Sequence, residues 1–487
     1  MTSLYVSLLA VLAVLIGSRL LINWLKLRKA PGPILAGATD LWRAYQQYRG
    51  RLREKLVELH SQYGPIVRYG VRSVSISDPE VINVVYGSRA GFITADSYKV
   101  LIGIQNGKEV PSLVSTADEA RHGALRRSVA NAFTPTASLD YESYIDETLT
   151  EFLDILSKKT QEPFDLAALI LYYTIDSAGR FSFGEPLGCL AAESDVGGSI
   201  QLIRDRFNHW GHWSSLPQLE RLVYRNPVAM RAKRAPSSMA AAAVTKLRSR
   251  TEKHDAINDN KTDLLQRFLE ASKAHPQTLD TAGVVGMLMS TISGAGDTTA
   301  TTIAATLYYL LRNAPALRAL RAELEAHPPD TARLPYLDAV LKESMRVFPT
   351  PTWPMERRVP APGATIAGVR FPEGTSVGCL PSAVHKNEAV FGDDAGRFRP
   401  ERWLEGTGEE GGERRRRMEA AMMGFSRGRR SCLGQNIALL QMRKVVAAVV
   451  MRFDLSLVRP EAPLEADFSP AVACLKPLYV RCRPRQR

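Results

Sequence analysis

The sequence predicts a mainly α-helical fold with small, separate β-sheets (α+β), standing behind a single N-terminal transmembrane helix. Three observations carry this. An uncharged apolar run opens the chain. Most of its length has helical periodicity, including one alanine-rich apolar stretch of over 30 residues. The few β-rich runs are short, bounded by Gly and Pro, and never alternate with helices in βαβ order, so a doubly wound sheet is not expected. No internal repeat and no central low-complexity linker divides the 487 residues. With 45% hydrophobic residues, one large domain or two tightly fused ones fits the chain.

The first element is "MTSLYVSLLAVLAVLIGS", without a charged side chain over 18 residues, followed by Arg19 and "LLINWL". Through Leu25 it is long enough to cross about 30 Å of hydrocarbon as a helix. Trp24 suits an interfacial belt, and Lys26, Arg28 and Lys29 belong on the cytoplasmic side. A basic start and a small-residue cleavage site are missing, so an uncleaved anchor is expected over residues 1–29 rather than a signal peptide. "APGPILAG" follows, its prolines forming a stiff hinge at 30–36. Residues 37–487 are left for the folded domain.

Within that domain, "GPIVRYGVRSVSISDP" (64–79) reads as strands and "YESYIDETLTEFLDILSKK" as a helix. "GATIAGVRFPEGTSVG" (363–378) reads as a strand pair turning at "FPEGT", and "FDLSLV" and "LYVRC" as late strands. The stretch from Asp280 to Asn313 should be one helix, with Pro315 closing it. In its middle, "SGAGDTT" is where a helix would widen or kink. This is either a weak spot in a core helix or a groove over a flat ligand, with Gly294, Ala295 and Gly296 giving close approach and Asp297 and Thr298 an acid and a hydroxyl beside it.

Net charge is +13, which suits an anionic membrane or an acidic protein partner. Zinc-finger spacing and an aromatic-studded basic platform are both lacking, so nucleic acid is not expected. Five scattered cysteines without a CxxC pair argue against a disulfide framework and a zinc ribbon. One of them, Cys432, lies in "GFSRGRRSCLG" between glycines and just after arginines, where positive charge and backbone N–H groups favour a thiolate.

Two further constellations stand out. Glu343 and Arg346 in "KESMR" share a helix face. Such a pair is usually a solvated surface pair, but with Arg402 of "FRPERW" it would form a buried fork-shaped network. His122 and Arg126 in "RHGALRR" also share a face, as a solvated basic surface or as a clamp for an anionic group such as a carboxylate.

Phe425, Gly428, Arg430, Cys432 and Gly434 spell F-x-x-G-x-R-x-C-x-G, which resembles the haem-binding signature of the cytochrome P-450 monooxygenases. The E-x-x-R helix, the P-E-R-W loop and the G-A-G-D-T-T centre of the long helix are similar to the family's other motifs, in family order. With the anchor and hinge, the resemblance covers essentially the whole chain. The style of "GATIAG" and "VSISDPEVINVVYG" looks like the fungal microsomal members, among them the pisatin demethylase-like group.

That resemblance implies a cytochrome P-450 fold holding haem b between the long central helix and the cysteine loop. It implies Cys432 as the axial thiolate, favouring O–O cleavage, Phe425 shielding the sulfur, and Gly428 and Gly434 letting backbone approach. His122, Arg126, Arg357 and Arg430 would meet the propionates. Thr298 would offer its hydroxyl to dioxygen and Asp297 would relay protons. Ala295 stands where the family usually has glycine, and His122 where it usually has tryptophan. The implied activity is NADPH- and O2-dependent monooxygenation of a lipophilic small molecule in fungal secondary metabolism, on the cytosolic face of the endoplasmic reticulum. Electrons would come from NADPH-cytochrome P-450 reductase, with cytochrome b5 as a further donor. By the same resemblance, Arg427, Arg429 and Arg430 would face an acidic electron donor, with Arg414–Arg417 either joining them or forming a solvated loop. The substrate pocket would be apolar, with Lys99 and Lys108 available to a carboxylate or simply at the surface. Two other activities stay open: a haem-thiolate isomerase or dehydratase needing no reductase, and a non-enzymatic haem-binding protein.

Overall fold

The computed structural model describes residues 2–105, 107–160, 162–232, 238–252, 262–327, 334–406 and 408–485. The helices that position the site are α1 (Thr2–Leu25), α2 (Glu119–Val129), α3 (Leu166–Phe183), α4 (Ser199–Trp213), α5 (Thr281–Leu311), α6 (Pro335–Val347), α7 (Gly408–Ala421) and α8 (Gln435–Arg452). The strands are β1 (Ile66–Gly70), β2 (Ser73–Ile76), β3 (Ile93–Thr94), β4 (Arg357–Arg358), β5 (Ala364–Ile366), β6 (Val369–Phe371), β7 (Ser376–Cys379), β8 (Phe453–Leu457) and β9 (Tyr479–Pro484). The expected balance of many helices and small sheets is what the chain adopts.

The largest sheet has the order β1-β2-β7-β4-β3, antiparallel except for the parallel β2–β7 pair. A second sheet places β9 between β8 and the short strand Phe164–Asp165. Residues 363–378 depart from the expected strand pair. The hairpin is β5–β6, turning at Ala367 and Gly368, both at positive φ (46° and 78°), as a two-residue hairpin turn requires. "FPEGT" instead leads out to β7 in the large sheet.

The apolar core divides in two. One part is helical and centres on α3, α5 and α8. The other lies on the large sheet and includes Val74, Tyr86, Phe371, Cys379 and Trp403. α5 follows the sequence closely. The Asp280 side chain accepts from Gly283 N at 2.8 Å, and the helix then runs without interruption for 31 residues through Leu311. Pro315 falls in the first turn of the next helix, where its missing N–H costs nothing.

α1 is the one described helix long and apolar enough to cross a membrane, at mean hydropathy 2.2 over Leu4–Leu25. Its far end is not detached from the domain. The buried Arg68 of β1 donates to Trp24 O (2.6 Å) and Asn23 O (2.7 Å), two carbonyls left open at the helix C-terminus. Leu27 and Ala30 are buried with the sheet core. The Arg414–Arg417 run also departs from the loop reading: it lies in α7. Glu409 and Glu410 sit in its first turn, where a helix favours acids, and Arg416 pairs with Glu413 at 2.9 Å.

Candidate active site

Between α5 and the loop before α8 lies a cavity of about 390 Å³. Gly294, Ala295 and Thr298 line it from the α5 side, and Phe425, Cys432 and Gly434 from the loop side. The "SGAGDTT" segment stays helical. The Thr298 hydroxyl donates to Gly294 O at 2.6 Å, and the same back-bonding recurs from Thr302 to Thr298 O. A Cβ added at Gly294 or Gly434 would meet nothing within 4 Å, so both glycines leave open space in the slot.

The cysteine loop is closed by its own backbone, with Cys432 N donating to Phe425 O at 2.8 Å. Gly428 has φ 66°, and a Cβ there would lie 1.7 Å from Tyr86 O, so this position demands glycine. Gly434 is crowded by no protein atom, and it serves as N-cap of α8 while its N–H points at the Cys432 sulfur. Burial pushes the Cys432 thiol up, and the Gly434 N–H and Arg126 only partly offset this. The cationic turn therefore does not by itself make the thiolate that its sequence suggests. A coordinated cation would supply what is missing.

Cations collect at one edge of the cavity. Arg126 donates to Ser431 O (2.8 Å) and Ser431 Oγ (3.2 Å), tying α2 to the cysteine loop. Arg357 of β4 stacks over Tyr86 and Tyr98 and donates to Glu356 O at 3.0 Å. Arg430 pairs with Glu119 at 2.8 Å. Burial alone would raise the Glu119 carboxyl, but Arg430 outweighs it and holds the group below its usual range. Burial, then Arg430, push His122 down to about 4. Among the described residues no Asp or Glu lines the cavity, so this edge presents one buried imidazole and three guanidiniums to anything anionic.

Asp297 does not line the cavity. It turns toward α4, where its Oδ1 meets Arg204 Nε at 3.4 Å, and its Oδ2 is buried without a partner. Burial pushes its carboxyl up. The neighbouring Cys474 thiol is pushed up to about 12, by burial first and then by Asp297.

Under the cysteine loop, the motif residues do come together. Arg346 Nη2 and Nε donate to the two oxygens of Glu343 at 2.8 and 2.9 Å, and Arg402 Nε donates to Glu343 Oε1 at 2.9 Å. All three are buried. Sequence reading missed the rest of this network. Trp403 Nε1 donates to Glu343 Oε2, and Arg402 Nη1 pairs with Asp394 at 2.8 Å. His385 Nδ1 bonds Arg346 O while its Nε2 accepts from Met423 N, one residue before Gly424 opens the cysteine loop. Burial and Arg346 push His385 down to about 3, so it is neutral, as that acceptor role demands. Glu119 and Arg206, which also bear on the cavity, carried no motif.

The surface candidates separate. Arg427 donates to Met422 O at 3.0 Å and Arg429 is exposed, whereas Arg430 faces the cavity and is not a surface group. Lys99 pairs with Asp96 at 2.7 Å, and Lys108 is exposed on the hairpin after Gly103.

A cysteine held by a closed loop, opposite a helix with open glycine space and beside a cationic edge, is the arrangement of a haem-thiolate site. The cytochrome P450 family model matches residues 38–483. A cytochrome P450 monooxygenase of Aspergillus terreus is 32% identical over 457 residues, covering 90% of this chain and 92% of the relative. The cytochrome P450 monooxygenase cicH of Emericella nidulans is 32% identical over 461 residues, covering 90% of each. Pisatin demethylase of Fusarium vanettenii is 31% identical over 453 residues, covering 88% of this chain and 84% of the relative. The chain belongs to the cytochrome P450 family, and with it to the haem enzymes.

Proposed function

We propose that this protein is a membrane-anchored haem-thiolate monooxygenase acting on a lipophilic small molecule in fungal secondary metabolism. Overall, substrate C–H, O2, NADPH and H⁺ become C–OH, H2O and NADP⁺, with electrons delivered by NADPH-cytochrome P-450 reductase and, as an auxiliary donor, cytochrome b5. The observation that carries this reading is the single cavity walled by Cys432 on one side and by Gly294, Ala295 and Thr298 on the other. Residues 1–29 anchor the protein in the endoplasmic reticulum, residues 30–36 form the hinge, and residues 37–487 form the catalytic domain.

The donors present fit haem b: one sulfur on the loop, open glycine space, and a cationic edge for two propionates. Bound there, the haem iron supplies dioxygen activation, which a thiolate ligand promotes. Cys432 is the ligand, and metal charge resolves the raised thiol left by burial. His122, Arg126, Arg357 and Arg430 hold the propionates, and Phe425 covers the sulfur. An anion at this edge would also offset the Arg430 charge that, after burial, holds His122 down.

Thr298 presents its hydroxyl at the cavity wall. The proton it passes on comes from Asp297, whose carboxyl is kept protonatable by burial and held by Arg204 at the long distance of 3.4 Å. To serve Thr298, Asp297 would have to leave Arg204, which the long 3.4 Å contact permits. Ala295 narrows the slot by one methyl without removing a polar atom. The acidic electron donor docks on the face that carries Arg427 and Arg429.

The test begins with disruption of the gene in its host and isolation of the compound that accumulates. The purified holoprotein with reductase, NADPH and isotopically heavy O2 should then place one labelled oxygen atom in the product. Conversion without NADPH or O2 would instead identify a haem-thiolate isomerase or dehydratase. Absence of O2 consumption with that compound would leave a haem-binding protein.

A further inference from the structure

We propose that the substrate carries a carboxylate and that Arg206 receives it, with the substrate's apolar body lying along the aromatic wall of Phe207, Trp210 and Trp353. This rests on reading the cavity as a substrate chamber.

α4 crosses the cavity with two arginines spaced two apart, so they leave the helix on nearly opposite sides. Arg204 goes to Asp297. Arg206 goes into the cavity, where its one bond among the described residues is from Nη2 to Leu101 O at 3.0 Å. A guanidinium has five N–H donors. None of the Arg206 nitrogens is among the sealed, partnerless atoms, and the side chain lines the cavity, so it has donors left to offer there. No acidic side chain lines that space among the described residues.

The other cavity arginines are engaged at the edge beside the cysteine loop: Arg126 with Ser431, Arg357 with Glu356 O, and Arg430 with Glu119. Arg206 stands apart from them on α4, tied to Leu101. Among the described residues it is therefore the cavity cation placed away from the edge that would hold the propionates. Burying a guanidinium without an acid is unfavourable, and burial does pull Arg206 below the ordinary arginine range. It stays charged at physiological pH. Its planar fork matches a carboxylate through two parallel hydrogen bonds.

The neighbouring wall sets the rest of the ligand. Trp210 and Trp353 meet edge to face at 4.2 Å, and Tyr98 lies 5.3 Å from Trp210. The Trp210 indole N–H is committed to Ser97 O at 3.1 Å, and the Trp353 indole N–H is buried without a partner, so the wall is mainly ring surface with one indole donor unspent. A ring-bearing acid suits it better than a flexible polar one. Neither lysine suggested by the sequence competes for that acid. Lys99 is paired with Asp96, and Lys108 is exposed outside the cavity lining.

The test uses the full-length holoprotein and a panel of aromatic and polycyclic terpenoid carboxylic acids, each matched with its methyl ester. Binding is measured at neutral pH by calorimetry and by the haem difference spectrum. Wild type should bind the acids of the panel about 10- to 100-fold more tightly than their esters, the usual worth of a charge-assisted hydrogen bond. Arg206→Gln should erase that preference while leaving ester binding within about twofold, and Arg206→Lys should restore part of it. Haem content checks that the variants fold. Equal loss of acid and ester binding in Arg206→Gln would make Arg206 a latch on Leu101 and overturn the proposal. So would wild-type preference for esters, or failure of every acid to bind. Binding needs no reductase or turnover. A protein that prefers acids yet oxidises nothing would overturn the monooxygenase reading and leave this one standing.

Discussion

Two groups of arginines in this molecule, one fully buried and one lining the cavity, behave in opposite ways. Below the cysteine loop, Arg346 and Arg402 are saturated: both donate to Glu343, Arg346 also reaches the carbonyls of His385 and Arg397 at 2.8 Å, and Arg402 also binds Asp394 and the Phe391 carbonyl. Around the cavity, Arg206 has a single carbonyl, Arg126 and Arg357 donate to Ser431 and backbone carbonyls, and among the described residues Arg430 alone has an acid, Glu119. The first group has nothing left to offer a ligand, so its role is to hold Met423 and the loop that follows. The second group, Arg430 apart, has no acidic partner among the described residues and borders a space that an anion can enter. The number of partners, more than the residue type, separates scaffold from site.

The largest effect should come from breaking the saturated group. Glu343→Gln removes the charge that Arg346 and Arg402 share, and an uncompensated buried pair costs about 3–5 kcal/mol. The variant should accumulate little holoprotein, read as haem per polypeptide. Wild-type haem content in this variant would show that the network is dispensable and would erase the contrast.

Thr298→Ala should act at the next level, leaving the fold intact. Substrate affinity should change little, while product per NADPH falls and hydrogen peroxide rises. A relay group is worth about 10²–10⁴-fold, less where water substitutes. Unchanged coupling would remove Thr298 from the reaction and favour the isomerase reading.

Asp297→Asn should give the smallest and most diagnostic effect. Burial raises the Asp297 carboxyl, so the ionised form burdens the folded state at neutral pH. Its favourable contribution is complete below the unfolded carboxylate value and is lost as pH rises through the raised one. The variant should thus melt slightly higher than wild type at pH 7, by about a degree or two, with the gain vanishing in acid, while turnover drops. A lower Tm at pH 7 would mean that the Arg204 contact outweighs burial.

The sequence made the saturated group and the cysteine loop readable because both are carried by short local spacings. Glu343 and Arg346 share one turn of α6, and Phe425, Gly428, Arg430, Cys432 and Gly434 fall within one short segment. The cavity charges were less readable because their meaning depends on partners distant in the chain. Arg204 and Arg206 look equivalent in "RDRFNHW", and only the packing of α4 against α5 sends one to Asp297. Glu119 neutralises Arg430 across 311 positions. His385 and Asp394 complete the lower network from a segment without a motif. Arg414–Arg417 stayed open in the sequence between a docking face and a solvated loop after "GEEGG", yet acids in the first turn and an i,i+3 ion pair favour α7. Cys432 is the instructive case: its place between arginines and glycines was legible in the sequence, whereas its exposure to the cavity opposite Gly294 and Thr298 comes only from the fold.

The account's central claim is that Cys432 is the ligand at which the cavity's chemistry is built. The direct measurement is the absorption spectrum of the dithionite-reduced, carbon-monoxide-bound holoprotein, wild type against Cys432→His. Wild type should show the long-wavelength Soret band of thiolate-ligated haem. The variant should lose it for the shorter-wavelength band of imidazole ligation while keeping haem at the cationic edge. Persistence of the long-wavelength band in Cys432→His would place the ligand on another cysteine and contradict the account.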